Sequence, residues 1–347
     1  MNEDCAKLTS YFGERQRTSG RFTADALLDL YGRHQIAASI LLRGTEGFGA
    51  RQRPRTDRSL SLSEDLPLIA VAVDARPRIE EIRSEAAGLT RNGLVTVERA
   101  RMLTGDIGPL VLPEDLLEAT KLTIYLGRTE RVYRVPAFVA VCDLLRRRGV
   151  AGATVLLGVD GTAHGQRQRA AFFSSNAETP VMVIAVGSGD RIGRVLPELS
   201  GLLRRPLLTL ERVSICKRDG ITLGDAPQAP SLTDDIGAPS RQKLMVYTSE
   251  AAQYHGQPIH RAIIRRLRAA GISGATTQRG IWGFHGDHRP HGDRLLQLGR
   301  HVPAVSIVID TPERIATAYS VIDELTAQQG LVTSEPVTAI RSTRAAR

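Results

Sequence analysis

The sequence predicts an α+β chain made of three tandem copies of one βαββαβ domain. Two observations carry this prediction. Short anchors recur three times in one order and at near-constant spacing, and within each copy the hydrophobic period alternates between strand and helix in the same succession. The first anchor, Lys7-Leu-Thr-Ser-Tyr-Phe-Gly-Glu14, returns as Lys121-Leu-Thr-Ile-Tyr-Leu-Gly-Arg128 and Lys243-Leu-Met-Val-Tyr-Thr-Ser-Glu250. Gly44-x-x-Gly47 returns as Gly158-x-x-Gly161 and Gly280-x-x-Gly283, and Pro67 as Pro180 and Pro303. Leu94-Val-Thr-Val-Glu98 returns as Leu207-Leu-Thr-Leu-Glu211 and Leu331-Val-Thr-Ser-Glu335.

Each element follows from its local pattern. The Lys-Leu-x-x-Tyr segment is short and alternating, which predicts a strand. A helix is predicted over Phe22–Gln35, Val135–Arg148 and Gln257–Ala270; in the second copy Phe138, Val141, Leu144 and Leu145 recur at the spacing of one buried face. Gly149 and Gly271 follow as C-terminal caps. A second strand (Ala38–Arg43, Ala153–Leu157, Ala275–Arg279) ends at the Gly-x-x-Gly element and opens a long polar loop. The most apolar strand begins at Pro67, Pro180 and Pro303. A second helix, marked by Ile79 and Ile82, Ile192 and Val195, and Ile315 and Ile322, precedes the Leu-x-Thr-x-Glu strand.

That order favours a ferredoxin-like arrangement, with both helices on one face of a four-stranded antiparallel sheet. The other face still carries residues such as Val71 and Ile184, so three sheets in one chain are expected to bury those faces against each other as an intramolecular pseudo-trimer. The predicted domains are residues 1–103, 120–216 and 242–341. The linkers are 104–119 and 217–241, both rich in Gly and Pro and expected to bridge the copies without dictating their orientation.

Composition excludes several classes. At 347 residues with 42% hydrophobic and 24% charged residues, the chain is globular. Cys5, Cys142 and Cys216 form no CxxC pair, which argues against a disulfide framework or thiolate zinc site. No apolar run approaches the roughly 20 residues of a membrane span. Residues 1–7 lead into no signal-peptide core, so a cytoplasmic protein without membrane insertion is expected. The net charge of +9 suits phosphate-bearing partners.

The repeats resemble the PII-like family known as domain of unknown function 190. The likeness lies in Gln253-Tyr-His-Gly-Gln-Pro-Ile259, Ala270-Gly-Ile-Ser-Gly-Ala-Thr276 and Gly280-Ile-Trp-Gly-Phe284 of the third copy. The first copy adds Gly44-Thr-Glu-Gly-Phe-Gly49, Leu62-Ser-Glu-Asp-Leu-Pro67 and Val73-Asp74, and the second Gly149-Val-Ala-Gly-Ala-Thr154. The resemblance implies a PII-type trimer, here within one chain. It also implies non-enzymatic signalling, ligands such as adenine nucleotides in clefts between subunits, and partner contact through the long loop. A membrane channel such as a fluoride exporter is the kind of partner it suggests. The second copy departs from the pattern, with Gly161-Thr-Ala-His and with Pro197 inside its second helix, so the three clefts are expected to differ.

Candidate ligand-binding residues are the turn glycines Gly44, Gly47, Gly158, Gly161, Gly280 and Gly283, whose amides could cradle a phosphate or simply allow a tight turn. Around them stand Arg43, Arg55 and Arg58, then Arg167 and Arg169, then Arg279 and Arg294, either as anion ligands or as a solvated basic loop. His285, His288 and His291 have the spacing of a transition-metal site, although the other copies lack them. Asp74 and Asp310 read as turn and N-cap residues before the second helices, the alternative being an acid or a ribose contact. No nucleophile triad, paired-carboxylate motif or P-loop supports an enzyme, and no cofactor is required. The leading expectation is a PII-like regulator that senses a small anion, with an adenine nucleotide as the candidate, between domains. A metal-tolerance protein and a nonspecific nucleic-acid binder are the alternatives.

Overall fold

The computed structural model describes residues 2–57, 65–163, 166–169, 179–224, 240–285, 291–292 and 302–341. Each copy contains the predicted elements in order. First strands run over Asn2–Gly13, Thr120–Gly127 and Ser240–Ser249. Second strands are Ala38–Arg43, Gly152–Leu157 and Ala275–Arg279, and third strands Pro67–Ala75, Pro180–Gly187 and Pro303–Asp310. Last strands are Leu94–Thr104, Leu207–Arg212 (resumed as Ser214–Arg218) and Leu331–Arg341. The helices are α1 (Thr23–Arg33) and α2 (Arg76–Leu89), α3 (Ala137–Arg147) and α4 (Gly189–Leu202), and α5 (Ile259–Ala269) and α6 (Pro312–Leu325). In every copy the first strand lies between the third and the last, the second strand pairs outside the third, and all pairings are antiparallel.

The first helices start later than the sequence predicts. Short hairpins come first, pairing Arg17–Thr18 with Arg21–Phe22, Arg131–Val132 with Val135–Pro136, and Gln253–Tyr254 with Gln257–Pro258. Their tips, Ser19-Gly20, Tyr133-Arg134 and His255-Gly256, all have positive φ, the geometry of a two-residue hairpin turn. The C-terminal caps agree with expectation: Gly149 and Gly271 have φ of 72° and 73°, and Gln35 takes the same conformation in the first copy. α4 runs through Pro197, which has no amide to offer the carbonyl of Gly193.

Asp74 and Asp310 sit one residue before the N-caps, which are Ala75 and Thr311 and make no side-chain cap bond. The carboxylates clamp two segments instead. Asp74 accepts from the amides of Ala37 (3.0 Å) and Ala75 (2.7 Å), and Asp310 from those of Ser273 (2.8 Å) and Thr311 (2.9 Å). Each thereby ties the end of the third strand to the entry of the second.

The three copies form a cycle. The strand after the Gly-x-x-Gly turn pairs with the second strand of another copy: Glu46–Phe48 of copy 1 with copy 3, Asp160–Ala163 of copy 2 with copy 1, and Trp282–His285 of copy 3 with copy 2. Last strands join likewise, copy 1 to copy 2, copy 2 to copy 3, and copy 3 back to copy 1. Each copy has its own core beneath its helices. A fourth core gathers the opposite sheet faces, including Val71, Ile184 and Ile307, one from each copy. Burying each such side chain stabilises by about 1.5–3 kcal/mol, so the arrangement of the copies is part of the fold.

The segment 104–119 does fix orientation, contrary to the sequence reading. Ile107, Leu112 and Leu116 enter the core of copy 2, and the Ile107 amide donates to Ser200 Oγ on α4 at 2.8 Å. Apolar residues between the glycines and prolines turn this linker into a strap. The start of the second linker is also docked: Lys217 Nζ lies 2.5 Å from Asp323 Oδ1 on α6 of copy 3. Among the described residues no helix is long and apolar enough to cross a membrane.

Candidate functional site

The cycle creates two kinds of site, one on its axis and one between neighbouring copies. On the axis lie the Lys of the first anchor and the Glu of the last. Strand register sets Lys7 opposite Glu98, Lys121 opposite Glu211 and Lys243 opposite Glu335. Each ammonium also reaches the carboxylate of another copy. Lys7 Nζ is 2.7 Å from Glu98 and also pairs with Glu211; Lys121 is 2.8 Å from Glu211 and 2.5 Å from Glu335; Lys243 is 2.7 Å from Glu335 and 2.6 Å from Glu98. Six alternating charges thus close a ring, and all six residues are buried.

Burial alone would discharge these groups. For Lys7 and Lys243 it is outweighed by the flanking carboxylates, which raise both ammoniums above the usual lysine range. Burial likewise opposes ionisation of Glu98 and Glu211, and the surrounding lysines hold both below the usual carboxylate range. The three carboxylates stand close enough to share a cation. Ammoniums already lie between them and balance their charge, so a metal would have to displace a lysine. The sequence carries this ring as the Lys of the Lys-Leu-x-x-Tyr segment and the Glu of the Leu-x-Thr-x-Glu segment, each repeated three times and predicted only as repeat anchors.

Clefts open between copies beside the Gly-x-x-Gly turns. The cleft between copies 1 and 3 encloses about 390 Å³ and is bounded by Tyr11, Phe48 and Leu94 on one side and Ala275, Ile307 and Ile309 on the other. The matching elements of copies 3 and 2, among them Tyr247, Phe284 and Leu331 facing Ala153, Ile184 and Val186, enclose about 460 Å³. Both volumes fall within the roughly 300–1,000 Å³ of small-molecule pockets.

The predicted residues divide around these clefts. The turn glycines form interfaces with the neighbouring copy: a side chain at Gly47 would come within 2.5 Å of the Ala275 carbonyl of copy 3. Turn amides are already committed, Gly44 to Pro67 O and Thr45 to Thr277 O, Gly158 to Pro180 O and Val159 to Leu41 O, Gly280 to Pro303 O and Ile281 to Val155 O. Arg43 pairs with Glu14 at 2.8 Å and Arg279 with Glu250 at 2.5 Å. Arg55 lines the first cleft and pairs with Asp65 at 3.1 Å. His285 lines the second cleft. Arg58, His288 and Arg294 lie outside the described residues, as do the side chains of Arg167, Arg169 and His291. Two charged cleft residues, Arg241 and Arg314, are not predicted from the sequence, while Asp310, weighed there as a cap or a ribose contact, also lines the cleft.

Comparison with known proteins agrees with this threefold repetition. The model of domain of unknown function 190, described as an uncharacterized ACR, matches three times, over residues 5–102, 119–215 and 241–339. The chain belongs to that family, with three copies in tandem. It is similar to a UPF0166 protein of Aquifex aeolicus, 30% identical over 101 residues, which span 29% of this chain and 93% of the relative. A UPF0166 protein of Methanocaldococcus jannaschii is 31% identical over 91 residues, 26% of this chain and 82% of that protein. Each of these alignments is one copy long.

Proposed function

We propose that this protein is a non-enzymatic PII-like regulator in which three ferredoxin-like domains form an intramolecular pseudo-trimer. It senses a small anionic ligand, with an adenine nucleotide as the first candidate, at a cleft between domains. Ligand occupancy is communicated to a partner protein through the segments joining the second and third strands. The observation that carries this reading is the cleft between copies 1 and 3, an apolar cavity of about 390 Å³ whose rim includes Arg55, Arg241 and Arg314. It lies against the strand that follows the Gly-x-x-Gly turn of copy 1, at Phe48 and Gly49, and against Gly274 and Ala275 of copy 3, so a bound molecule would touch both copies at once. A regulatory role is further supported by the axial ring, whose buried carboxylates are neutralised by lysines rather than held available for proton transfer.

Titration calorimetry with AMP, ADP, ATP and inorganic phosphate tests the ligand class. Saturable heat with at least one nucleotide is the expected result, and no heat across the panel removes the nucleotide reading.

A further inference from the structure

Tandem repetition allows equivalent positions to diverge, and the clefts have diverged at the residues that would meet an anion. Arg241 precedes the ring lysine of copy 3 by two positions; the same position holds Ala119 in copy 2 and Cys5 in copy 1, both buried. Asp310 of copy 3 corresponds to Gly187 in copy 2. The cleft between copies 2 and 3 is accordingly lined, among the described residues, by no arginine, lysine or carboxylate.

The arginines of the charged cleft are not equivalent. Arg55 is engaged by Asp65 at 3.1 Å. Arg314 donates to Gly271 O at 2.9 Å and to Ser273 Oγ at 3.1 Å. That clamp belongs to the repeat, since Arg191 donates to Gly149 O and Arg78 to the carbonyls of His34 and Gln35 at the same helix end. Arg241 is different. Its side chain is 21% exposed and lines the cavity, and its nearest carboxylate oxygen, on Asp310, is 3.9 Å away, beyond hydrogen-bond reach. Among the described residues it makes no hydrogen bond, so its fork of donors is available to a ligand. Asp310 is 3% exposed and its oxygens accept from Ser273 and Thr311, which fixes it as a backing charge behind Arg241. Glu313 adds a second negative neighbour. One available guanidinium backed by two carboxylates suits one anionic group, and among adenine nucleotides it favours the single phosphate of AMP over the longer chains of ADP and ATP. Beside it, Phe48, Leu94, Ile307 and Ile309 supply a broad apolar wall.

Resting on the reading that interdomain clefts take anionic ligands, we propose that only the copy 1–copy 3 cleft does so. Its ligand presents a flat ring to the apolar wall and one anionic group, such as the phosphate of a mononucleotide, to Arg241. The chain therefore carries one site rather than three.

Anilinonaphthalene sulfonate, an aromatic monoanion, is a suitable probe for the folded full-length chain. One dye per chain is expected. Arg241→Ala installs the residue that copy 2 carries at this position, and it should weaken binding about tenfold, as expected for loss of one charge-assisted hydrogen-bond donor. Gln253→Ala, in the other cleft, should leave binding unchanged, with melting curves confirming that both variants remain folded. Two or three dyes per chain, or affinity indifferent to Arg241→Ala, overturns the single-site proposal while leaving anion binding in clefts intact. No saturable binding at all overturns both.

Discussion

Lys243 Nζ of copy 3 lies 2.6 Å from Glu98 Oε2 of copy 1, and this contact closes the axial ring between the two ends of the chain. Both side chains are buried, at 4% and 3% exposure, so neither charge has water to fall back on. Replacing Lys243 with Met leaves Glu98 and Glu335 short of a counter-charge. Breaking a buried pair on one side costs about 3–5 kcal/mol, and urea denaturation should show a loss of that size. Lys243→Met combined with Glu98→Gln removes one charge of each sign, so its loss should be smaller than the sum of the two single losses.

The same ring sets a stability plateau in pH. Glu98 and Glu211 ionise more readily folded than unfolded, so the stability they contribute is present above the unfolded glutamate value of about 4.3 and is lost as pH falls below it. Lys7 and Lys243 hold their protons more tightly when folded; their contribution is complete below the unfolded lysine value of about 10.4 and is lost as pH rises above it. Lys121 runs the other way: burial draws its ammonium below the usual lysine range, so its titration opposes part of the alkaline loss. Thermal melts across the pH range should fall below the acid limit and, less steeply, above the alkaline one. A maximum confined to neutral pH would contradict the ring as the controlling element.

Contact between copies also depends on backbone proximity. Gly47→Ala forces a methyl group to within 2.5 Å of the Ala275 carbonyl, whereas a Cβ at Gly49 meets nothing within 4 Å. Overpacking of that kind costs about 1–3 kcal/mol, so Gly47→Ala should destabilise by that amount and Gly49→Ala by much less. Chemical denaturation of the two variants provides the comparison.

Much of this fold is legible in the sequence because apolar period and repeat order encode it. Ile79 and Ile82 mark the helix face, and Val71 and Ile184 mark a second sheet face that needs cover. What periodicity does not encode is which copy meets which. Lys7 looks the same whether it pairs with Glu98 alone or also with Glu211, and only the three-dimensional cycle brings the second carboxylate near. Arg241 escapes for a related reason: its significance lies in being set against the wall of another copy, far away in sequence. All three hairpins escape because their strands are only two residues long, and the one at Tyr133-Arg134 also lacks a customary turn former, although both residues have positive φ.

That last mismatch gives a stabilising prediction. Arg134 has φ of 69°, and its counterparts in the other copies are Gly20 and Gly256, which enter this region without steric penalty. An L-residue in left-handed geometry costs roughly 1–2 kcal/mol, part of which the greater freedom of glycine in the unfolded chain offsets. Arg134→Gly should therefore raise stability by up to about 1 kcal/mol, read as a higher denaturation midpoint at unchanged slope.

The strap over copy 2 offers a separate test of how the copies are held together. Leu112 and Leu116 are 5% and 2% exposed and pack into the copy 2 core with Leu196 and Leu199 of α4. A flexible linker would tolerate their truncation; a strap would not. Leu112→Ala and Leu116→Ala each remove a buried isobutyl group, at a cost of about 2–5 kcal/mol. The loss should appear first as faster amide exchange in α4 and at the Ile107 amide, which donates to Ser200. The axial ring flanks this strap in sequence at Glu98 and Lys121 but joins all three copies in space, so protection of the first strands should outlast that of α4. Uniform loss of protection across all three copies would instead make the strap part of a single cooperative unit with the ring.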